Sequence, residues 1–322
     1  MSDHNGPEPP IIIAEVVPEP LWREIPVRRP PRRRVVLPLV LFVATCLSTL
    51  LAGGLDAGIN EWLRSGPAAG LAVGLLEGLR YALPLMTILI FHEMGHFLQA
   101  WRYGVYASYP YFIPMPLSPI GTFGAVIGMD ARMGHRRALF DIGITGPLAG
   151  LIPTLIFCII GLQLSAPVAR HQVDGGVVWG TPLLFNVLAQ WFAPPVPDGC
   201  ILDLDPMAFA GWVGLLITSL NLIPIGQLDG GHILYALLRD KAARVASLLL
   251  LLAVAATAWQ SYRQHQLSPW ILMVFLLVLM GPVHPPTADD REPLGLLRCV
   301  LGWLTLAFIF VGFTPDPMPL GP

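Results

Sequence analysis

Phe91-His92-Glu93-Met94-Gly95-His96-Phe97 decides how this chain is read. The stretch sets two imidazoles and a carboxylate inside residues 83–98, which are otherwise almost wholly apolar. On an α-helix His92 and His96 are one turn apart and project from one face, so both reach a single metal ion while Glu93 sits beside them. The spacing is the HExxH pattern, in which two histidines hold zinc and the glutamate serves as base. So short a pattern also recurs by chance, but chance matches seldom fall inside an apolar span. A zinc helix in a water-accessible groove carries a polar outer face, and this one has almost none. Residues 81–102 amount to roughly 22 positions, or ~33 Å of helix, enough to cross a bilayer. His92 then lies near mid-membrane, where ionisable groups are costly and mark function, which points to a metal site in a wet cavity among helices.

Composition agrees with that setting. Apolar residues make up 54% of the 322 positions and charged ones 12%, with a mean hydropathy of +0.64, values of a polytopic membrane protein. The net charge of -2 carries little information; the placement of the basic residues carries more. Residues 1–34 are polar and proline-rich, read as a disordered cytoplasmic tail, and end in Arg28-Arg29-Pro30-Pro31-Arg32-Arg33-Arg34. A basic cluster abutting a hydrophobic span is a topology signal rather than a nucleic-acid patch, so no nucleic-acid partner is expected and the N-terminus is placed in the cytoplasm.

From there the chain is read as alternating spans and connections. Residues 35–55 begin too late and run too long for a cleaved signal peptide and form the first span. Residues 56–80, with Glu61, Arg64, Glu77 and Arg80, are expected to be an outer loop and a helix lying at the interface. The metal helix runs inward to Arg102. Pro110, Pro114, Pro116 and Pro119 then break helix, and Gly121-Thr122-Phe123-Gly124-Ala125-Val126 suits a short strand. At membrane depth such a strand needs protein or water to satisfy its backbone; the alternative is an ordinary surface hairpin. Its place straight after the metal helix favours a role in the site.

Arg132, His135, Arg136 and Arg137 form a second inner basic cluster, and residues 140–164 a further span in which Gly143, Gly146 and Gly150 permit close helix approach. Asp141, near the start of that span, is read as a structural carboxylate at a helix N-terminus. Residues 165–205 form the outer connection, with a short apolar piece at 182–192. Cys46, Cys158, Cys200 and Cys299 show neither metal-site spacing nor evident disulfide partners and are read as packing residues. Residues 206–222 make another span, leading into Asn221-Leu222-Ile223-Pro224-Ile225-Gly226-Gln227-Leu228-Asp229-Gly230-Gly231-His232. Pro224 and three glycines are expected to unwind the helix here, leaving Asp229 as a carboxylate on flexible backbone at membrane depth. After a third basic cluster, Arg239, Lys241 and Arg244, residues 245–261 and 269–281 form a helical pair and residues 294–312 a last span. Between them His284, Asp289 and Asp290 could hold a metal, but a solvated inner loop is the expected reading.

Two histidines from one helix and a carboxylate from another give a three-ligand zinc site with its fourth position open to water, an arrangement of catalytic sites. His232, three residues after Asp229, is the alternative third ligand. Zinc lowers the pKa of its water toward neutrality, and Glu93 is placed to take the proton during attack and return it to the leaving amine.

The chain resembles the site-2 protease family of intramembrane zinc metalloproteases. The HExxH helix matches at His92, Glu93 and His96, and the second family motif at Asn221, Pro224, Asp229 and Gly230. Gly146-Pro147-Leu148-Ala149-Gly150, residues 121–126 and residues 225–232 are similar to the EGY-like branch. The resemblance runs over residues 79–240 and more loosely to the end. It implies one zinc ion on His92, His96 and Asp229, a catalytic Glu93, an Asn221 that positions substrate or stabilises the transition state, and a substrate-holding strand at Gly121, Thr122, Phe123, Gly124, Ala125 and Val126. Gln227 departs from the proline many members carry there, and no room is left for a PDZ or CBS domain.

The expected fold is therefore an all-α polytopic membrane protein of about six to seven transmembrane helices with a short β-hairpin or re-entrant strand near the site. Its membrane domain covers residues 35–313, with a tail at 314–322. The partners expected are the lipid bilayer and a transmembrane protein substrate, which enters, unwinds locally and pairs with the strand; water reaches the zinc from the inner side past residues 110–119. The competing class is a zinc transporter or sensor, which has little use for an acid beside the ligands such as Glu93. A bacterial cytoplasmic membrane is expected, with a plastid or archaeal one as alternatives, and the sequence gives no sign of oligomeric state.

Overall fold

The computed structural model describes residues 35–129, 134–169 and 180–317. The tail read at residues 1–34, Arg132 of the second basic cluster and residues 318–322 lie outside the described residues.

Helices α1 (Val36–Ser65) and α2 (Pro67–Arg102) form an antiparallel pair of 30 and 36 residues, turned by Gly66 alone at φ 93°. Pro67 opens α2 at the first helical position, where its missing N–H costs nothing. The loop and interfacial helix expected at residues 56–80 are thus corrected: those residues prolong both helices, to ~45 and ~54 Å. The reason is a row of glycines on each helix. A Cβ on Gly54 would run into the carbonyl oxygen of Gly74, one on Gly70 would lie 2.7 Å from that of Gly58, and one on Gly78 would strike that of Leu50. Small residues at these positions let the two backbones touch, which is how helices associate where lipid gives no hydrophobic drive. Gly54→Leu is expected to destabilise the protein by about 1–3 kcal/mol, read as a lower thermal midpoint in detergent; an unchanged midpoint would mean the pair does not close there.

Helix α3 (Arg136–Leu164) packs on α2 by the same device, with a Cβ on Gly95 falling 2.5 Å from the Thr145 carbonyl oxygen. Helix α5 (Pro206–Asn221) packs on both, and Tyr81, Leu85, Cys158, Leu162, Trp212 and Leu215 fill the space between them with no exposure. One end of the bundle is tied at Asp205. Its Oδ1 caps α5 by accepting from Met207 N at 2.9 Å, its Oδ2 accepts from Arg80 of α2, and its own N–H donates to Ser165 Oγ at the end of α3.

The opposite ends are tied at Asp141, structural as expected but not through the helix terminus: it lies beyond the first turn of α3, where the terminal field has faded. Instead it accepts two parallel hydrogen bonds from Arg298 of α9 (Leu296–Ala307), at 2.7 and 2.9 Å, and one from the Tyr103 hydroxyl. Arg136 caps α6 (Asp229–Leu238), donating to the Ala236 and Leu237 carbonyls.

Helices α7 (Asp240–Gln264), α8 (Ile271–Met280) and α10 (Ile309–Gly312) complete the C-terminal part. Among the described residues four helices, α1, α2, α3 and α7, are long and apolar enough to cross a membrane; α4 (Leu183–Phe192), α5, α8 and the stretch Leu296–Gly312 are shorter. The strand read at residues 121–126 exists as β2 (Gly121–Val126), and the proline-rich segment before it supplies its antiparallel partner β1 (Tyr111–Met115), with Tyr111 facing Val126 and Met115 facing Gly121. Register shifts between Phe112 and Pro114, and a bulge of this kind tolerates proline. A second hairpin, β3 (Ala166–Ala169) with β4 (Cys200–Asp203), was not anticipated in the outer connection. The short apolar piece there is α4, as expected.

Candidate metal centre

The site is built from one continuous helix and one interrupted one. His92 and His96 stand on adjacent turns of α2, both buried, and α3 passes close behind them because it carries glycine at the crossing. A Cβ on Gly146 would overlap the His96 imidazole, and one on Gly150 would lie 3.0 Å from the His92 Cβ. Opposite, the chain leaves helix after Asn221 and re-enters it at Asp229. Gly226 takes the turn at φ 59°, and the returning helix tucks beneath the loop so closely that a Cβ on Gly230 would strike the Leu222 carbonyl and one on Gly231 that of Gly226. Asp229 therefore belongs to the first turn of α6, not to flexible backbone as the sequence suggested. Of the three glycines, one makes the break and two make the close return.

The result is a small triangle. Asp229 Oδ2 lies 3.1 Å from His92 Nε2 and 3.2 Å from His96 Nε2, and the two ring nitrogens lie 3.2 Å apart. Ligands held at ~2.0 Å around a tetrahedral zinc ion are separated by ~3.3 Å, so the triangle has the right size for one. The hydrogen bonding asks for a cation as well. His96 Nδ1 donates to the Ile142 carbonyl at 2.7 Å, which leaves a neutral His96 with a bare lone pair on Nε2, turned toward the carboxylate. An ion at the centre would satisfy all three atoms. Among the described residues this is the one group of histidine, cysteine and acidic side chains close enough to hold a metal.

A cavity of about 250 Å³ opens in front of the triangle, and Glu93, 3% exposed, lines it together with Asn221, Gln227 and His232. Asn221 ends α5 and sets its Nδ2 3.3 Å from His92 Nε2. Of the expected substrate strand, Ala125 and Val126 reach the cavity wall, continued by Ile127, Gly128 and Met129; Gly121, Thr122, Phe123 and Gly124 do not. Nor does any of residues 110–119 line it. His232, the alternative ligand, lies outside the triangle and bonds instead to His284. His284 itself corrects the solvated-loop reading. It is buried, stacks on Tyr235 with ring centroids 4.6 Å apart, and joins no metal group with Asp289 or Asp290.

The sequence profile of Peptidase family M50 matches residues 80–257, more than half of the chain and the whole of this site. The chain belongs to peptidase family M50. The M50 chain is 36% identical over 242 residues to the Arabidopsis thaliana protein named "Probable zinc metalloprotease EGY1, chloroplastic", covering 73% of this chain and 43% of that protein. It is 29% identical over 243 residues to "Probable zinc metalloprotease EGY2, chloroplastic" of Oryza sativa subsp. indica, covering 75% and 43%. The M50 chain thus spans less than half the length of these curated relatives. No solved structure matches it. The relatives are chloroplast proteins, which counts against the bacterial membrane expected from sequence.

Proposed function

We propose that this M50 protein is an intramembrane zinc endopeptidase that hydrolyses peptide bonds within or beside transmembrane helices of other membrane proteins. The observation that carries the reading is the His92–His96–Asp229 triangle with Glu93 and the end of β2 on the wall of one cavity. One zinc ion bound by the three side chains supplies Lewis acidity and lowers the pKa of water toward neutrality.

The rest is done by the chain. Glu93 accepts the proton of the attacking water and delivers it to the leaving amine, a transfer its burial beside the triangle favours by keeping competing water out. Asn221 donates its side-chain N–H toward the oxyanion that develops on the scissile carbonyl. A helical peptide bond is shielded by its own hydrogen bonds, so the substrate must be drawn out straight, and β2, paired only with β1 among the described residues, offers an edge for strand addition. Thr122 steadies that strand: its hydroxyl donates to the Ile113 carbonyl at 2.9 Å and accepts from Gly124 N at 3.0 Å. Thr122→Val is expected to weaken substrate affinity ~2–10-fold with zinc content unchanged, as one or two lost hydrogen bonds imply; parallel loss of zinc would instead tie the hairpin to the metal site.

The membrane domain is taken as residues 35–313 with its core at 79–240, flanked by tails at 1–34 and 314–322. About six to seven crossings follow if α5, α8 and the Leu296–Gly312 stretch span along with the four long helices. The contacts of Arg136 with α6 and of Arg298 with α3 support the basic residues sharing one side, which is taken as the side of the N-terminus. Both plastid and bacterial membranes satisfy that arrangement. Transport or sensing of zinc is disfavoured, since the described residues offer one metal group and no second along a path.

Protein termini compared in membranes holding the wild type or Glu93→Gln test the proposal. New termini inside membrane spans, present only with the wild type, are expected; identical termini with zinc in both chains would overturn it.

A further inference from the structure

His284, buried, and His232, half-buried, are two histidines that the reaction above does not use. His284 comes from the loop between α8 and α9, and its two ring nitrogens are both engaged: Nδ1 with the Pro285 carbonyl at 2.6 Å and Nε2 with His232 Nδ1 at 2.6 Å. A carbonyl oxygen only accepts, so His284 Nδ1 carries the proton. Burial pushes the His284 imidazole toward its neutral form, so its Nε2 has a lone pair and must accept. The proton between the rings then belongs to His232 Nδ1, and a neutral His232 keeps a lone pair on Nε2. The order of donors is set from the loop inward.

His232 lines the catalytic cavity from the first turn of α6, and with Nδ1 committed to His284 its Nε2 is the edge left for that cavity. Gly143 of α3 makes room for it, a Cβ there falling 3.1 Å from the His232 Cβ. Val126, Ile127 and Gly128, the run that continues β2, line the same cavity. A peptide drawn straight along that run turns its alternate N–H groups away from the hairpin and into the cavity, where they need acceptors.

We propose that His232, oriented by His284, accepts a backbone N–H of the bound substrate segment through Nε2, with His284 as its positioning residue. This rests on the peptidase reading, but it is a statement about peptide binding and is tested without turnover. The zinc-loaded full chain is titrated with a labelled extended apolar peptide and with the same peptide N-methylated along its backbone. His232→Phe is expected to weaken the unmethylated peptide ~3–10-fold, the worth of one hydrogen bond, and to leave the methylated one unchanged. His284→Phe should do the same, and His284→Gln, whose side-chain carbonyl can accept from His232 Nδ1, should restore binding. Equal losses for both peptides, no loss for either, loss of zinc in His232→Phe, or a wild type blind to methylation would each overturn the assignment. A chain that passes this test yet cuts nothing would sink the peptidase reading alone.

Discussion

Zinc-loaded protein carrying Glu93→Gln is expected to cleave a transmembrane substrate ~10³-fold more slowly than the wild type while holding the same amount of zinc. Glutamine keeps the shape and the buried place of Glu93 but cannot accept a proton from water. Glu93 stands outside the triangle of His92, His96 and Asp229, so a metal seated there does not depend on it. Rates on a purified substrate, with metal content measured on the same sample, separate the possibilities. Zinc lost together with activity would make Glu93 a ligand, and activity retained would move the proton transfer elsewhere.

The second large effect is expected from a residue with no functional group. Gly146→Val places a branched side chain where the His96 imidazole now lies, and the ring cannot move aside without giving up its Nδ1 bond to Ile142, one turn away on the same helix. Loss of that orienting bond alone typically costs ~10–100-fold in metal affinity, and displacement of the ligand itself adds to it, so zinc affinity should fall at least ~10²-fold. Gly150→Ala, whose Cβ would meet His92 at 3.0 Å, should be much milder. Competition with a chromogenic chelator measures both. Near wild-type affinity in Gly146→Val would mean α2 and α3 do not cross as described.

These two residues also show what the sequence could and could not convey. Glu93 was legible because its meaning is local: helical periodicity alone puts it beside His92 and His96, and the apolar run around it says membrane. Asp229 was legible as the third member of the group because few acids fall inside apolar spans. Its footing was not, since the identical letters Gly230-Gly231 serve to break a helix or to let one pack tightly, and only the approach of Leu222 and Gly226 decides between them. The glycines of α1 and α2 hid the hairpin for the same reason. Four scattered charges suggested a loop and an interfacial helix, whereas the spacing of Gly54 and Gly58 against Gly70, Gly74 and Gly78 was the better signal. His284 and Arg298 were beyond reach, because each acquires its role from a partner tens of residues or more away: 52 to His232 and 157 to Asp141. Nothing in the local pattern of either announces its partner.

That last separation has a bearing on how the protein is made. Asp141 enters the membrane on the helix that buttresses His96, and for the time needed to synthesise 157 further residues its carboxylate has the Tyr103 hydroxyl but not Arg298. Until α9 arrives the acid lacks its two parallel hydrogen bonds from Arg298, and the glycine crossings behind the histidines depend on α3 being settled. A nascent chain therefore carries a complete set of zinc-binding letters well before it carries a seated helix to set them in. The Asp141–Arg298 pair thus closes the fold late: the helix behind His96 is pinned by a residue made after every member of the His92–His96–Asp229 triangle.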